Sequence, residues 1–291
     1  MRILSLLPAA TEIVCALGLE GSLVGCSHEC DFPESVRGLP QLTRPKIDAS
    51  GSSREIHEAV RETASLGSPL YVLDEERILA LAPDLVLTQE TCEVCAVAKE
   101  DVVACLSRQA LPARVLSLRP SRLEDVFSSI EEVGRACEAK EEGRRLASSL
   151  RARLPHPEGR TGGPRVAVLE WLDPPILAGH WVPDLVSASG GSPVGLPPGA
   201  PSRQSSWDEI RGWTPDVLVV APCGFDLRRT EEESRPLLPT LCGLAPRLLL
   251  MDGNAYLSRP GPRLVEAAEV LSAFLERAPL SPGSRAAEVT A

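Results

Sequence analysis

The sequence predicts an α/β protein made of two similar lobes, and three observations support this prediction. Short apolar runs alternate with amphipathic stretches on both sides of a long helical segment, as in α/β layer structures. The helical segment, 121–154, carries apolar residues at steps of three and four. A stretch before it, 75–92, shares with a stretch after it, 207–224, an acidic residue, an isoleucine and Pro-Asp ahead of an apolar run.

The first predicted lobe spans 1–120. Its apolar runs indicate strands at "RILSLLP", "SLVGCS", "PDLVLT" and "ARVLSL", and helices are predicted at "ATEIVCALGL" and "AKEDVVACLSRQA". In such lobes the strands pair mainly in parallel and helices flank the sheet, so each lobe is expected to be Rossmann-like.

The connecting segment, 121–154, is predicted to be one helix. Ser121 and Glu124 have the spacing of a capping box at its start. At 1.5 Å per residue the helix would be roughly 50 Å long, which exceeds one small domain. We therefore expect a rigid rod that joins the two lobes.

The second predicted lobe spans 164–278. Strands are indicated at "RVAVLEW", "PDVLVVAPCG" and "RLLLMDG", and helices at "VPDLVSASGG" and "GPRLVEAAEVLSAFLER". The tail, 279–291, is rich in Ser, Pro and Ala and is predicted to be disordered.

Charge and composition exclude several classes of function. The formal net charge is −10 and no stretch is rich in Lys or Arg, so binding to nucleic acid is not expected. No apolar run approaches the roughly 20 residues of a membrane-spanning helix. The first apolar run is short and contains Pro8, so it is interpreted as a strand and not as a secretory signal. Nine cysteines, an odd number, suit a reducing compartment, which predicts a cytoplasmic location with a periplasmic or secreted one as the alternative.

Residues that follow the predicted strands are the candidates for a ligand site, because ligands of parallel sheets bind beyond the carboxyl ends of the strands. In the first lobe the candidates are His28, Glu29, Cys30, Cys92 and Cys95. In the second lobe they are Trp171, His180, Trp181 and Tyr256. In a chain with only 3% aromatic residues, this group would suit a large flat ligand in a cleft between the lobes.

Cys92 and Cys95 leave three interpretations open. They could complete a zinc or iron site with His28 and Cys30, form a redox pair, or simply line the pocket. His28 could reach the metal of a bound chelate or hold its loop by hydrogen bonds. The chain carries none of the phosphate-binding, zinc-protease or nucleophile-elbow motifs, so an enzyme is the less favoured class.

Several motifs, in order, carry a resemblance to a known family. They are "SLLPAATE", "LAPDLVLT", "EWLDPPILAGHWVPDLVSASGG", "SWDEIRGWTPDVLVVAPCG" and "GPRLVEAAEVL". With the long helical segment, they resemble the class III periplasmic binding proteins, the helical-backbone group that binds cobalamin, haem and ferric siderophores for ABC importers. Within it they are most similar to the cobalamin-binding branch.

The resemblance implies a protein that holds cobalamin or another metal tetrapyrrole for transport, storage or sensing. Its partner would be an ABC importer or an intracellular corrinoid-handling protein. The alternative hypothesis is a metal-ion-binding enzyme or metallochaperone that uses the His28, Cys30, Cys92 and Cys95 cluster.

Overall fold

The computed structural model describes residues 1–90, 97–108, 110–155 and 162–289, and its contacts divide the chain into two compact units. Unit 1 comprises Met1–Gly51, Glu58–Pro120 and Phe127–Ser149. Unit 2 comprises Ser52–His57, Ser121–Val126 and Leu150–Ala291. Each unit contains its own sheet, which confirms the predicted α/β class with mainly parallel sheets flanked by helices.

Unit 1 is built on a four-stranded parallel sheet in the order β2-β1-β5-β6, beside a small antiparallel pair, β3-β4. Its strands are β1 (Ile3–Ser5), β2 (Leu23–Cys26), β3 (Thr43–Pro45), β4 (Tyr71–Leu73), β5 (Leu85–Gln89) and β6 (Arg114–Leu118). Helices α1 (Pro8–Ala16), α2 (Ser53–Ser65), α3 (Glu75–Leu81) and α4 (Lys99–Arg108) accompany them, with the first residues of α2 belonging to unit 2. Every residue of β1 and β5 is buried, as expected for strands covered on both faces.

Unit 2 is built on a larger sheet in the order β10-β8-β7-β11-β12-β13, with β9 paired to β7. Its strands are β7 (Arg165–Trp171), β8 (Ile176–Leu177), β9 (Ser192–Pro193), β10 (Arg203–Gln204), β11 (Val217–Val220), β12 (Arg247–Met251) and β13 (Ala286–Val289). Its further helices are α7 (Val182–Ala188), α8 (Trp207–Gly212), α9 (Leu227–Ser234), α10 (Leu238–Cys242) and α11 (Leu264–Leu275). The central strands β7, β11 and β12 are parallel. Trp207 and Trp213 are partly buried and pack against the apolar core.

The sequence repeat corresponds to the same local structure in both units. In unit 1, α3 ends at Ala82 with φ 39°, and Asp84 then accepts a hydrogen bond from the backbone N of Arg2, at the start of β1 (2.7 Å). In unit 2, Thr214 has φ 46° after α8, and Asp216 accepts from the backbone N of Arg165, at the start of β7 (2.8 Å). In both units the aspartate of the Pro-Asp pair therefore accepts a hydrogen bond from the backbone at the start of the neighbouring strand.

The connecting segment differs from the single helix predicted for 121–154. It forms two helices, α5 (Leu123–Ala136) and α6 (Lys140–Arg153), separated by Glu138, which has φ 61°. A Cβ on Gly134 would lie 2.9 Å from Cα of Gly143, so the two helix backbones touch there. The ion pair of Arg151 with Glu124 joins residues at the far ends of the helices. The segment is therefore an antiparallel hairpin, and its two glycines permit close packing in place of a rigid rod.

We expect Gly134→Ala to destabilise unit 1 by about 1–3 kcal/mol through overpacking, although alanine favours helices. The added methyl would meet the backbone of Gly143 and, at 3.0 Å, the carbonyl oxygen of Ala139. The matched control is Gly212→Ala in α8, where a Cβ meets nothing within 4 Å. Urea unfolding followed by circular dichroism measures both changes. Equal stability of the two variants would contradict the hairpin contact.

The predicted disorder of the tail, 279–291, is wrong for residues 286–289. These residues form β13, which pairs antiparallel with β12. The backbone N of Arg285 donates to the hydroxyl of Tyr256 (3.3 Å), and the Arg285 side chain forms an ion pair with Asp252 (3.1 Å). A short segment of mostly small residues, Ala286–Val289, is thus ordered, because it completes the hydrogen bonding of β12. In the described part of the chain, no helix is long and apolar enough to span a bilayer.

Candidate functional site

The loop after β2 places His28 at the carboxyl end of the sheet of unit 1. Nδ1 of His28 lies 2.6 Å from Oγ1 of Thr43, and the backbone N of His28 donates to the same oxygen (3.0 Å). The imidazole also lies 5.6 Å from the ring of Tyr71, at an interplanar angle of 45°. Two ring contacts thus orient the half-buried imidazole, and a backbone hydrogen bond fixes the loop beside it.

The hydrogen bonds of Thr43 determine which nitrogen of His28 can bind a metal. The Thr43 hydroxyl donates to Oγ of Ser27 (3.2 Å), so it accepts from Nδ1 of His28. The lone pair of the neutral ring is then on Nε2. Burial lowers the pKa of His28, which keeps the ring neutral at pH 7. His28 therefore has the form that coordinates a metal.

Glu29 and Cys30 have different surroundings. Glu29 is half-buried, and its backbone N donates to Oγ of Ser27 (3.2 Å). The Cys30 thiol is buried and lies 3.1 Å from Oγ1 of Thr11. The hydrogen bond with Cys26, followed by burial, raises the pKa of Cys30 well above its usual value. A neutral buried thiol is a poor metal ligand, because thiolate is the form that binds.

Cys92 and Cys95 lie outside the described residues, so the four-residue metal cluster stays a prediction. Across the described ranges, no group of three or more His, Cys, Asp or Glu side chains could hold a metal ion. Just before the cysteines, Glu90 forms ion pairs with Lys99 and Arg119. The hydrogen bond from Lys99 is the main cause of the lowered pKa of Glu90.

In unit 2, Trp171 lies at the carboxyl end of β7 and belongs to a cluster that the sequence did not predict. Its ring is half-buried and lies 5.2 Å from the ring of Phe225, while its Nε1 donates to the carbonyl of Ser53 (3.0 Å). The guanidinium of Arg229 lies 3.8 Å from the centroid of Phe225. Phe225 and Arg229 follow β11, as His28 follows β2. The rule that ligands bind beyond the carboxyl ends of parallel strands could therefore have identified them.

His180 lies in a strained loop before α7. Its φ is 51°, and its backbone N donates to the carbonyl of Ala200 (2.6 Å). A Cβ on Gly179 would lie 2.4 Å from the same carbonyl oxygen, so only glycine permits this approach. Burial lowers the pKa of His180, which leaves a neutral, half-buried imidazole stacked on Trp181 at 5.8 Å. Strain of this kind is common at functional sites.

Trp181 and Tyr256, which the sequence placed among the candidate ligand contacts, are both buried. Trp181 is buried, and its Nε1 donates to the carbonyl of Leu257 (3.0 Å). Tyr256 is also buried, within a π-helical turn, Gly253–Leu257, that follows β12. Burial raises the pKa of its hydroxyl, which accepts the hydrogen bond from Arg285. Both aromatic rings therefore stabilise the local structure.

Comparisons with known proteins agree with this architecture. No family model matches the chain. A vitamin B12-binding protein of Yersinia pestis is 24% identical over 280 residues, covering 93% of this chain and 84% of the relative. Among solved structures, a periplasmic haem-binding protein from Pseudomonas aeruginosa superimposes with a TM-score of 0.70, at 20% identity and with 100% of this chain and 98% of that chain covered.

The periplasmic vitamin B12-binding protein of Vibrio cholerae has a TM-score of 0.63 at 20% identity, with 95% of this chain and 96% of that chain covered. The chain has the fold of the periplasmic haem- and vitamin B12-binding proteins. The predicted resemblance to the class III periplasmic binding proteins is thereby confirmed. The predicted cytoplasmic location is wrong, because the haem- and vitamin B12-binding proteins that the chain resembles in structure are periplasmic. An odd number of cysteines indicates the compartment only weakly, because buried, unpaired thiols also serve as small apolar side chains.

Proposed function

We propose that the protein binds a metal tetrapyrrole, with cobalamin the first candidate and haem the second, and delivers it to an ABC importer from the periplasm. One observation carries the proposal, namely the similarity to a vitamin B12-binding protein over 93% of the chain. The fold, shared with periplasmic haem- and vitamin B12-binding proteins, supports the same class of ligand.

Three of the four proposed contacts lie at the carboxyl end of a parallel strand, whereas His180 follows β8, which is antiparallel to β7. In unit 1 they are His28 and Glu29, and in unit 2 they are Trp171 and His180. Trp171 offers a half-buried ring for stacking on a flat macrocycle, and Nε2 of His28 offers a lone pair to the metal. Cys92 and Cys95 are proposed to line the pocket. Trp181 and Tyr256 are proposed to stabilise the backbone next to the site through their buried rings and hydrogen bonds.

A bare-metal enzyme or metallochaperone is not favoured. Within the described part of the chain His28 and Cys30 have separate partners, since His28 contacts Thr43 and Tyr71 while Cys30 contacts Thr11. Zinc or iron analysis of the purified protein tests this directly. Stoichiometric metal that is lost in Cys92→Ser would favour the alternative.

We expect the purified protein to retain aquocobalamin or haemin through gel filtration, with a shifted absorption spectrum. We expect His28→Asn to weaken binding about tenfold or more, because asparagine keeps the donor toward Thr43 but lacks Nε2. The control is His57→Asn, because His57 lies within α2 and does not follow a strand. This variant should bind the ligand with the same affinity as the wild type. Isothermal titration calorimetry measures all three affinities.

Failure to retain either compound would overturn the proposed function. Equal affinity of His28→Asn and wild type would remove His28 from the site while leaving the function in place. Competition between the two compounds shows which of them binds more tightly.

A further inference from the structure

The start of α2 lies beside Trp171, at the carboxyl end of β7. Residues Ser52–His57 belong to unit 2, although α2 extends to Ser65. Ser53 is only 1% exposed, and its carbonyl oxygen accepts the hydrogen bond from Nε1 of Trp171 (3.0 Å). The position of the indole N–H therefore depends on the position of Ser53.

Glu233, in α9, fixes Ser53 in turn. Its Oε1 accepts one hydrogen bond from the backbone N of Ser53 (2.7 Å) and another from the Ser53 hydroxyl (2.6 Å). Hydrogen bonds to a carboxylate are stronger than those between neutral groups. Because one oxygen accepts from the backbone and the side chain together, Glu233 restrains both parts of Ser53.

A second link between α2 and the end of β7 is weaker. Nη2 and Nε of Arg54 lie 2.8 and 3.0 Å from Oδ2 of Asp173, two residues after Trp171. The Arg54 side chain is 65% exposed, so water screens this ion pair and its contribution is small. Glu233 is therefore the stronger of the two restraints.

Helix capping alone does not explain the contact between Glu233 and Ser53. The first turn of α2 already has a local capping box. In it the backbone N of Glu55 donates to the Ser52 hydroxyl (3.4 Å), and the backbone N of Ser52 donates to Oε2 of Glu55 (2.8 Å). A carboxylate 180 residues away in the chain is not needed for the same purpose.

We propose that Glu233 is a positioning residue for the ligand site, which acts by fixing Ser53 and, through Ser53, the indole ring of Trp171. The ring of Phe225 lies 5.2 Å from the indole at an interplanar angle of 53°, so the indole is restrained at its Nε1 and at its ring. It cannot turn about its side-chain torsions without losing one of these contacts.

A ring that is oriented before binding lowers the ordering cost of stacking on a flat macrocycle. This consequence for the ligand rests on the proposed function. The restraint of Trp171 by Glu233 does not, and it can be measured without a ligand.

Hydrogen exchange of the Trp171 indole N–H tests the restraint directly. NMR of the ¹⁵N-labelled protein shows one indole signal for each of the four tryptophans, and the signals lost in Trp171→Phe and in Trp181→Phe identify these two. We expect Glu233→Ala to accelerate exchange of the Trp171 N–H at least about tenfold. The Trp181 N–H, which donates to the carbonyl of Leu257, should exchange at the wild-type rate.

Two further variants are matched to Glu233→Ala. Glu233→Gln keeps an oxygen that can accept from Ser53, so the Trp171 N–H should exchange within about threefold of the wild-type rate. Glu232→Ala removes an exposed carboxylate from the preceding residue of α9 and should leave this exchange unchanged. Unchanged Trp171 exchange in Glu233→Ala would overturn the proposal. Equal acceleration at Trp171 and Trp181 would also overturn it, because that result indicates general loosening of unit 2.

A double-mutant cycle tests whether the effect on the ligand passes through Trp171. Isothermal titration calorimetry with aquocobalamin or haemin measures the affinities. We expect Glu233→Ala to weaken binding about three- to tenfold in the wild-type background and to have no effect in the Trp171→Ala background. An equal loss in both backgrounds would contradict the positioning role. If the wild type binds neither compound while Trp171 exchange responds as expected, the proposed function alone fails.

Discussion

Trp181→Ala should destabilise unit 2 by about 3–5 kcal/mol, the usual cost of truncating a buried tryptophan. The indole is 8% exposed, and its Nε1 donates to the carbonyl of Leu257 at 3.0 Å. Truncation leaves a cavity beside α7 and removes the donor at the end of the π-helical turn. Urea unfolding followed by tryptophan fluorescence and circular dichroism measures the loss.

Trp181→Phe separates the hydrogen bond from the packing. Phenylalanine keeps most of the apolar ring but leaves the Leu257 carbonyl without this donor, so we expect a loss of about 1–3 kcal/mol. Trp171→Ala is the comparison at an aromatic ring that is only half-buried, and it should cost less than Trp181→Ala. A Trp181→Ala variant as stable as wild type, with weakened ligand binding, would return Trp181 to the ligand surface.

Asp252→Ala should destabilise unit 2 by about 3 kcal/mol, since it removes a helix cap and a charge-assisted hydrogen bond together. The carboxylate is buried, accepts from the backbone N of Ala255 at 2.6 Å and pairs with Arg285 at 3.1 Å. Loss of these contacts releases β13 from the edge of the sheet. Hydrogen exchange of the β13 amides should therefore accelerate more than exchange in β7.

Asp252→Asn is the matched variant, because its amide oxygen can still cap the turn while the charge is absent. We expect a smaller loss, about 1 kcal/mol, with β13 exchange intermediate between wild type and Asp252→Ala. Unchanged exchange of β13 in Asp252→Ala would show that the strand pairing with β12 holds the tail without Asp252.

Local patterns in the sequence were sufficient for the class of fold and for several details. Parallel strands buried on both faces read as apolar runs, and both Pro-Asp strand starts were visible as a repeat. Candidate ligand contacts at or beyond strand ends, such as Trp171 and His28, could be identified from the positions of the predicted strands. All of these features depend on residues close together in the chain, so local patterns reveal them.

Long-range contacts decided the remaining features. The close approach of Gly134 and Gly143 turns a continuous helical pattern into a hairpin. Thr43, 15 residues from His28, sets which ring nitrogen is free.

The sequence alone determined that this is an α/β protein with two similar halves, because the spacing of apolar residues reflects the period of each helix and strand. Only the tertiary structure decided that Trp181 and Tyr256 are buried and that the tail contributes β13. Burial and contact depend on which distant segments pack together, and residue spacing along the chain does not encode that packing.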